Sequence, residues 1–588
     1  MASPKTAGKT KQKKRSFHQE LVLNRWVMRF FKGNELAALK LRLGDDQHEG
    51  IDEDGQTLFF HELTRNLFEV DWISEADLRR YDLHIVEHWQ AITKHRNQLE
   101  GHVLNMKYFQ YLSLLFTEIY LDWYFTKPQA LLDGLNEELA TYSKEQGAEI
   151  FQPYIASDLN KIAFWNATGS GKTLLLHVNI KQYLHYFQAG NSNLYPDKII
   201  LLTPNEGLSK QHLEELELSG FSFSRFFDKN RTNTFKGTIE IIDINKLGDS
   251  MGDKTVAVEA FEGNNLVLVD EGHRGTGTAA GAWMQRRDAL VRGGFAFEYS
   301  ATFGQAVAKG NTVAKAEEEL LKKKAKTLFE TTALKKLDDA QLAQLVLTQV
   351  EQRQARVTAT RETYAKCILF DYSYKYFYDD GYGKESLILN MNGEAYEQAD
   401  NAQKYFTACL LSFYQQTWLW QNHHGKLNDF NIEKPLWVFV GNTVSGEDSD
   451  ILEVVQFLSF FLNDEQTIKT WLKELVDDKA QLLDVKGNNI FQGRFNPLMG
   501  FSDNIDGLYT DILHKLFNAN ARQRLKLVNI KNSKGELALR VGDAEPFGLI
   551  SIGDDSGFYK TAEELESFDS EADDFGGALF GTLNGFVE

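Results

Sequence analysis

Apolar and polar positions change rhythm along this chain. Residues 20–148 are rich in helix formers and aromatics. Within them YFQYLSLLFTEIYLDWYF, Tyr108 to Phe125, is apolar apart from a few positions, with two acids, Glu118 and Asp122. A spacing of four puts both carboxylates on one helix face. The pattern predicts a buried helix with one polar edge, with a paired-carboxylate site as the rival reading. We expect a helical N-terminal domain over 20–148. From 149 to 305 short apolar runs alternate with amphipathic stretches: KIAFW, TLLLHVNIKQYLHYF, KIILLTP, IEIIDI, NLVLVDE and FAFEYSATF. Strands alternating with helices predict a parallel sheet covered on both faces, hence an α/β class.

Residues 306–364 read as long polar helices, a solvated helical insertion. Glu318 and Glu319 stand four before Lys322 and Lys323, the favourable order for surface pairs. From 365 to 588 strand-like runs return, as KCILFDY, PLWVFVG, and LKLVNI with LALRV on either side of a turn-forming NSKG. No fixed-period repeat and no low-complexity linker is visible. The eight prolines are few for 588 residues and favour compact elements over Pro-rich hinges.

Composition narrows the class. Hydrophobic residues make up 43% and charged residues 25%, as in ordinary globular proteins rather than disordered ones. No apolar run reaches the roughly 18 residues of a membrane helix. Two cysteines, Cys367 and Cys409, are too few for a disulfide framework or a cysteine-built metal site. With no secretory signal visible, the expected location is cytoplasmic. The net charge of −19 argues against bulk nucleic-acid coating but allows a local basic groove. Residues 1–19 form a basic tail, with Lys5, Lys9, Lys11, Lys13, Lys14 and Arg15 and no acid in that stretch. It is a solvated tail or a phosphate-attracting arm.

The strongest chemical signal is KIAFWNATGSGKTLLLHVNI, Lys161 to Ile180. An apolar strand enters a glycine-containing loop that opens an amphipathic helix. Gly169 and Gly171 let the backbone curl its N–H groups toward phosphate oxygens. The helix start adds its positive dipole end. Thr168, Gly169, Ser170, Gly171, Lys172 and Thr173 form the candidate phosphate-binding set. Lys172 reaches the β- and γ-phosphates, and Thr173 places a hydroxyl on Mg²⁺. Asn166 stands where the usual G-x-x-x-x-G-K-[ST] pattern begins with a small residue. Asn tolerates unusual backbone angles, so the loop should survive.

The second signal is NNLVLVDEGHRG, Asn264 to Gly275. Leu266 to Val269 form a buried strand, and acids follow at its carboxyl end, where open α/β sheets place ligands. Asp270 would hold Mg²⁺, and Glu271 would orient and deprotonate the attacking water, the two roles phosphoryl transfer needs. Read alone, two acids before a glycine are a strand-ending turn. Asp270 stands 98 residues after Lys172, and the pair of signals favours a nucleotide site. Ser300-Ala301-Thr302 follows FAFEY; by itself it is a tight strand end.

The order ATGSGKT, ILLTPNEGLSKQ, DEGH, SAT resembles motifs I, Ia, II and III of superfamily 2 helicases. The DEGH form looks most like the restriction subunit of type III restriction–modification enzymes and related prokaryotic DEAD/DEAH-box proteins. DYSYKYFYDDGYGK, Asp371 to Lys384, and KPLWVFVGNTV, Lys434 to Val444, resemble the entry into a second motor domain and motif IV. The resemblance implies an ATP- and Mg²⁺-dependent motor on nucleic acid, with DNA expected. It implies a first RecA-like domain over 149–305 and a second over 365–588. On it, Thr203 and Pro204 sit near a nucleic-acid phosphate, and His273, Ser300 and Thr302 couple nucleotide state to strand grip. Gln152, twenty residues before Lys172, would read adenine, against the plainer reading of a surface glutamine.

Motifs V and VI are not visible. Gln492-Gly493-Arg494 has the wrong spacing for motif VI, and Arg522 and Arg524 lack the Gln and Gly. The expectation is a second RecA-like domain that is incomplete. A partner chain supplying those motifs, or a modification subunit, would complete it. His423-His424 near Asn428 reads as a polar loop rather than a nuclease motif. The leading function is a nucleic-acid-dependent ATPase of a restriction or phage-defence system. The alternative is an ATP-binding regulatory or scaffold subunit, or a gene fragment, that cannot hydrolyse efficiently alone.

Overall fold

A computed structural model describes residues 16–67, 72–147, 151–189, 191, 193–228, 235–248, 256–257, 263–271, 289–291, 293–309, 314–334, 337–383, 387–396, 400–427, 432–441, 450–530, 536–551 and 569–575. The chain forms two compact units, Met1–Lys384 and Glu385–Glu588.

The first unit opens with helices α1 (Val22–Met28), α2 (Glu75–Glu100), α3 (Tyr108–Thr126) and α4 (Pro128–Gln146). An α/β segment follows: β1 (Lys161–Asn166), α5 (Lys172–Phe187), β2 (Ile199–Thr203), α6 (Glu206–Leu218), β3 (Ser224–Phe226), β4 (Ile239–Asp243), β5 (Leu266–Asp270) and β6 (Phe295–Ser300). Helices α7 (Phe303–Lys309), α8 (Ala314–Phe329) and α9 (Gln349–Cys367) lead into β7 (Ile368–Tyr372). The sheet order is β3-β4-β2-β5-β6-β1-β7, and every pairing is parallel.

Apart from the edge strand β3, the strands are buried on both faces, so their residues divide by parity. On β2, Ile199 and Leu201 join the core shared with the N-terminal helices, while Ile200 and Leu202 face Val267, Val269 and Leu290 on the other side. The apolar helix α3 is buried over most of its length within that shared core. The N-terminal helices therefore share one core with the sheet instead of forming a separate domain. Glu118 accepts from Gln182 (2.8 Å) and Tyr186 (2.6 Å), both on α5, and Asp122 accepts from Tyr81 (2.5 Å). The two acids satisfy buried helix-packing partners, which supports the polar-edge reading over a catalytic pair.

Two expectations for the later sequence change. The run KCILFDY, expected to open a second motor domain at 365, supplies β7, which pairs with β1 in the first sheet (Phe164↔Phe370, Trp165↔Asp371). The polar segment before it is helical as expected, and Glu318 pairs with Lys322 at 3.0 Å. It is less of a solvated insertion than its composition implies. Thr360, Tyr364 and Cys367 of α9 are buried, and Tyr364 packs against Phe303 at 4.6 Å between rings.

The second unit contains α10 (Asn401–Leu427), α11 (Asp450–Asn463), α12 (Glu465–Val476), α13 (Ile505–Phe517), β8 (Leu525–Ile530), β9 (Glu536–Val541), β10 (Gly548–Ser551) and β11 (Asp569–Phe575). Strands β8 and β9 are antiparallel, as a hairpin across NSKG requires; that turn lies outside the described residues. β9–β10 is also antiparallel and β8–β11 parallel, so this four-stranded sheet is mixed, unlike the parallel sheet expected of a RecA-like domain. PLWVFVG, expected as a strand, forms none over its described residues. Leu436, Val438 and Val440 are exposed there. Among the described residues no helix is long and apolar enough to cross a membrane.

Candidate nucleotide site at the carboxyl edge of the parallel sheet

Because all seven strands run the same way, their carboxyl ends share one edge. Registers align Trp165 with Ser300, Asp270 with Tyr299, and Leu202 with Val269. The phosphate loop, the two acids, Thr203 and Ser300 therefore gather along that edge from positions spread over more than a hundred residues.

Strand β1 ends at Asn166, and the loop closes on itself. Ser170 donates from both N–H (3.2 Å) and Oγ (2.8 Å) to the Ala167 carbonyl, while the Ala167 N–H donates to Tyr372 O (2.9 Å) at the end of β7. Gly169 and Gly171 adopt φ of 86° and 84°, the left-handed region that costs glycine nothing. A Cβ on Gly171 would lie 2.5 Å from Gln110 Nε2, so the end of that side chain would have to shift. The Leu175 N–H bonds the Gly171 carbonyl (3.1 Å), which leaves the N–H groups of Lys172, Thr173 and Leu174 without an intrahelical acceptor. An anion is favoured at such a helix start.

Lys172 begins α5, with its side chain 12% exposed and Nζ 4.0 Å from Glu271 Oε1. Its other contacts are long, 3.5 Å to the carbonyls of Asn166 and Ala167. A phosphate oxygen would bind this ammonium better than either carbonyl does. Asp270 ends β5. Its Oδ2 lies 2.9 Å from His212 Nε2, and its Oδ1 accepts the Glu271 N–H at 3.0 Å. Burial alone would raise the Asp270 pKa. The His212 hydrogen bond and charge, the Lys172 charge and the Glu271 N–H outweigh it and hold the carboxyl below its usual range. Glu271 turns the chain with φ of 54°, a conformation uncommon for a residue with a side chain.

The remaining predicted residues fall into three groups. Thr203 ends β2 and Pro204 follows it on the same edge; Thr203 Oγ1 meets Ser209 Oγ of α6 at 2.5 Å. Ser300 ends β6, buried, and its Oγ accepts the Thr302 N–H at 3.0 Å. The neighbouring Ala301 carbonyl accepts Trp165 Nε1 at 3.1 Å, linking this segment to the phosphate-loop strand. Gln152 is elsewhere. It is exposed, and its N–H donates to Glu362 Oε1 (2.8 Å); the following Pro153 carbonyl accepts from Lys366, just before β7 begins. It thus sits by the amino ends of β1 and β7, opposite the phosphate loop, and the surface reading fits better than an adenine contact. His273, and residues 1–15 with the basic arm, lie outside the described residues.

Two residues at the site went unnoticed in the sequence. Gln110, on α3, accepts the Lys107 N–H at Oε1 (2.9 Å) and donates from Nε2 to the Ser170 carbonyl (3.1 Å), bracing the outer side of the loop. His212, on α6, holds Asp270. Each is a single polar residue on a helix, 60 and 58 positions from its partner, with no local signal to mark it.

The residues fit a magnesium nucleotide. A loop with two left-handed glycines, unpaired helix N–H groups and a poorly satisfied ammonium suit phosphates, and a depressed carboxylate beside them suits a hard cation. Thr168 and Gly169 are exposed at the loop crest, with Ser170 buried beneath.

A comparison with curated proteins yields no match. Residues 129–305 match the family model described as type III restriction enzyme, res subunit. The matched span runs from α4 through Ser300-Ala301-Thr302 and so takes in the phosphate loop, both acids and the six strands from β1 to β6. The match over 129–305 supports a superfamily 2 helicase-like protein related to the res subunits of type III restriction enzymes.

Proposed function

We propose that this chain is a nucleic-acid-dependent ATPase of helicase type, working with Mg²⁺ and DNA in a restriction or phage-defence system. The observation that carries the reading is the meeting of Lys172 with Glu271 at 4.0 Å, beside Asp270, at the carboxyl edge of the sheet. Lys172 and the N–H groups of Thr173 and its neighbours bind the β- and γ-phosphates. Thr173 and Asp270 hold Mg²⁺, which supplies charge neutralisation at the phosphates. Glu271 orients the attacking water and takes its proton. Thr203 and Pro204 contact the nucleic-acid backbone from the same edge, and Ser300 with Thr302 link that contact to the phosphate loop through Trp165. The res-subunit match over 129–305 supports the helicase-type reading and the defence context. Free cysteines at 367 and 409 suit a cytoplasmic setting.

Phosphate release under multiple turnover, with and without single- and double-stranded DNA, tests this. DNA-stimulated turnover that disappears in Glu271→Gln is the expected result. Nucleotide binding without turnover under any nucleic acid would favour the scaffold reading. No nucleotide binding would overturn both.

A further inference from the structure

We propose that His212 is a positioning residue that holds the Asp270 carboxylate in the orientation in which it takes Mg²⁺. The inference rests on the ATPase reading above and adds a residue to its metal-binding arm.

Asp270 receives two hydrogen bonds from two different elements. The Glu271 N–H fixes Oδ1 at 3.0 Å from the adjoining chain, and His212 Nε2 fixes Oδ2 at 2.9 Å from α6. One donor alone would leave the carboxylate free to rotate about its Cβ–Cγ bond. Two donors on opposite oxygens set its plane and leave the remaining lone pairs in one direction. Ligating carboxylates are commonly oriented by such outer partners.

The histidine is itself well held. Its side chain is 5% exposed, against 13% for Asp270. Helix α6 is pinned at its start, where Asn205 Oδ1 accepts the Leu208 N–H (2.9 Å) and Ser209 Oγ meets Thr203 Oγ1 (2.5 Å). Among the described residues His212 Nδ1 is buried with no hydrogen-bond partner. Nε2 is the ring nitrogen that faces the carboxylate, so it is the donor to Asp270. The ring's polar tie is thus to Asp270, as an orienting group requires. A packing residue joining α6 to β5 would need no such donor.

Isothermal titration of the full chain with a non-hydrolysable ATP analogue, in EDTA and across a Mg²⁺ series, separates the two roles. In EDTA the wild type, His212→Gln and His212→Leu should bind alike, because Lys172 and the loop are untouched. With Mg²⁺ the wild type should tighten. His212→Gln, whose amide nitrogen replaces the Nε2 donor, should keep most of that gain. His212→Leu should need about 10–100-fold more Mg²⁺ for half its effect. Should His212→Leu not fold, as judged by its melting transition, His212→Asn replaces it with the same expectation, since its shorter amide stops short of Asp270. Wild-type Mg²⁺ dependence in the donor-free variant would overturn the proposal. So would equal weakening of binding in EDTA, which marks a structural role. A wild type whose binding ignores Mg²⁺ would overturn the ATPase reading, and this inference with it.

Discussion

Lys172 Nζ and Glu271 Oε1 lie 4.0 Å apart, one at the first residue of the phosphate-loop helix and the other just past the end of β5. The ammonium and the carboxylate are close enough to attract and too far apart to satisfy each other. Lys172→Ala removes a charge-assisted contact to phosphate, worth about 1.5–3 kcal/mol. Nucleotide affinity should therefore fall about 10- to 150-fold, and turnover should be lost. The melting temperature without nucleotide should hardly move, since this loose pair contributes little to folding. Titration with an ATP analogue and a thermal melt check both. Unchanged affinity and turnover would remove Lys172 from the site.

Glu271→Gln keeps the side chain's shape and its place in the turn and removes the base. Turnover should drop by about 10²–10⁴. Affinity should hold or rise, because the variant no longer offers Lys172 a competing negative charge. Rapid-quench phosphate release beside analogue titration reads the two effects separately. Wild-type turnover in the variant would put the base elsewhere.

The local part of this site was legible and the long-range part was not. The strand–loop–helix of 161–187 and the acids at 270–271 announce themselves because apolar runs, glycines and charges stand next to one another in the chain. The membership of a strand does not. Ile368–Tyr372 reads as a strand from its own residues, but its pairing with β1 spans some 200 positions, so the sheet it joins is set by tertiary packing. The apolar run at 435–441 shows the reverse. Its composition says strand, yet Val440 stays 91% exposed, because β-propensity without a partner strand and a face to cover does not make a sheet. Gln110 and His212 were invisible for a third reason: a lone polar residue on a helix looks like a solvated one until the partner at the other end of its hydrogen bond is known.

Gly171→Ala faces two separate penalties. The left-handed φ of 84° costs an alanine roughly 1–2 kcal/mol, and the new Cβ would sit 2.5 Å from Gln110 Nε2. The Gln110 side chain should be displaced and ATP-analogue binding weakened about tenfold. Adding Gln110→Ala removes the clash but not the backbone strain, so the double variant should recover part of the affinity, not all. Titration of the two single variants and the double variant measures the split. Equal binding by Gly171→Ala and wild type would mean the loop is not held as described.

His177 sets an acid limit on the first unit. It is buried on α5 between the sheet-side core and α6, with Nδ1 2.8 Å from Ser219 Oγ. Burial pushes its pKa down to about 3, with the charges of His212, Arg96 and Lys181 acting in the same direction. A histidine depressed when folded takes its proton first in the unfolded chain. It leaves stability unchanged above its unfolded pKa of about 6.5 and costs stability progressively as pH falls from there toward 3. At pH 5 the cost is about 2 kcal/mol, a few degrees in Tm. His88 on α2, pushed down to about 4 mainly by burial, adds to the same slope. His177→Asn keeps a hydrogen bond to Ser219 and cannot titrate, so its Tm should fall less between pH 7 and pH 5 than that of the wild type. Calorimetry at the two pH values, with His177→Asn and the His177→Asn, His88→Asn pair beside the wild type, should show the drop shrinking stepwise. An unchanged drop in both variants would place the acid sensitivity on other groups.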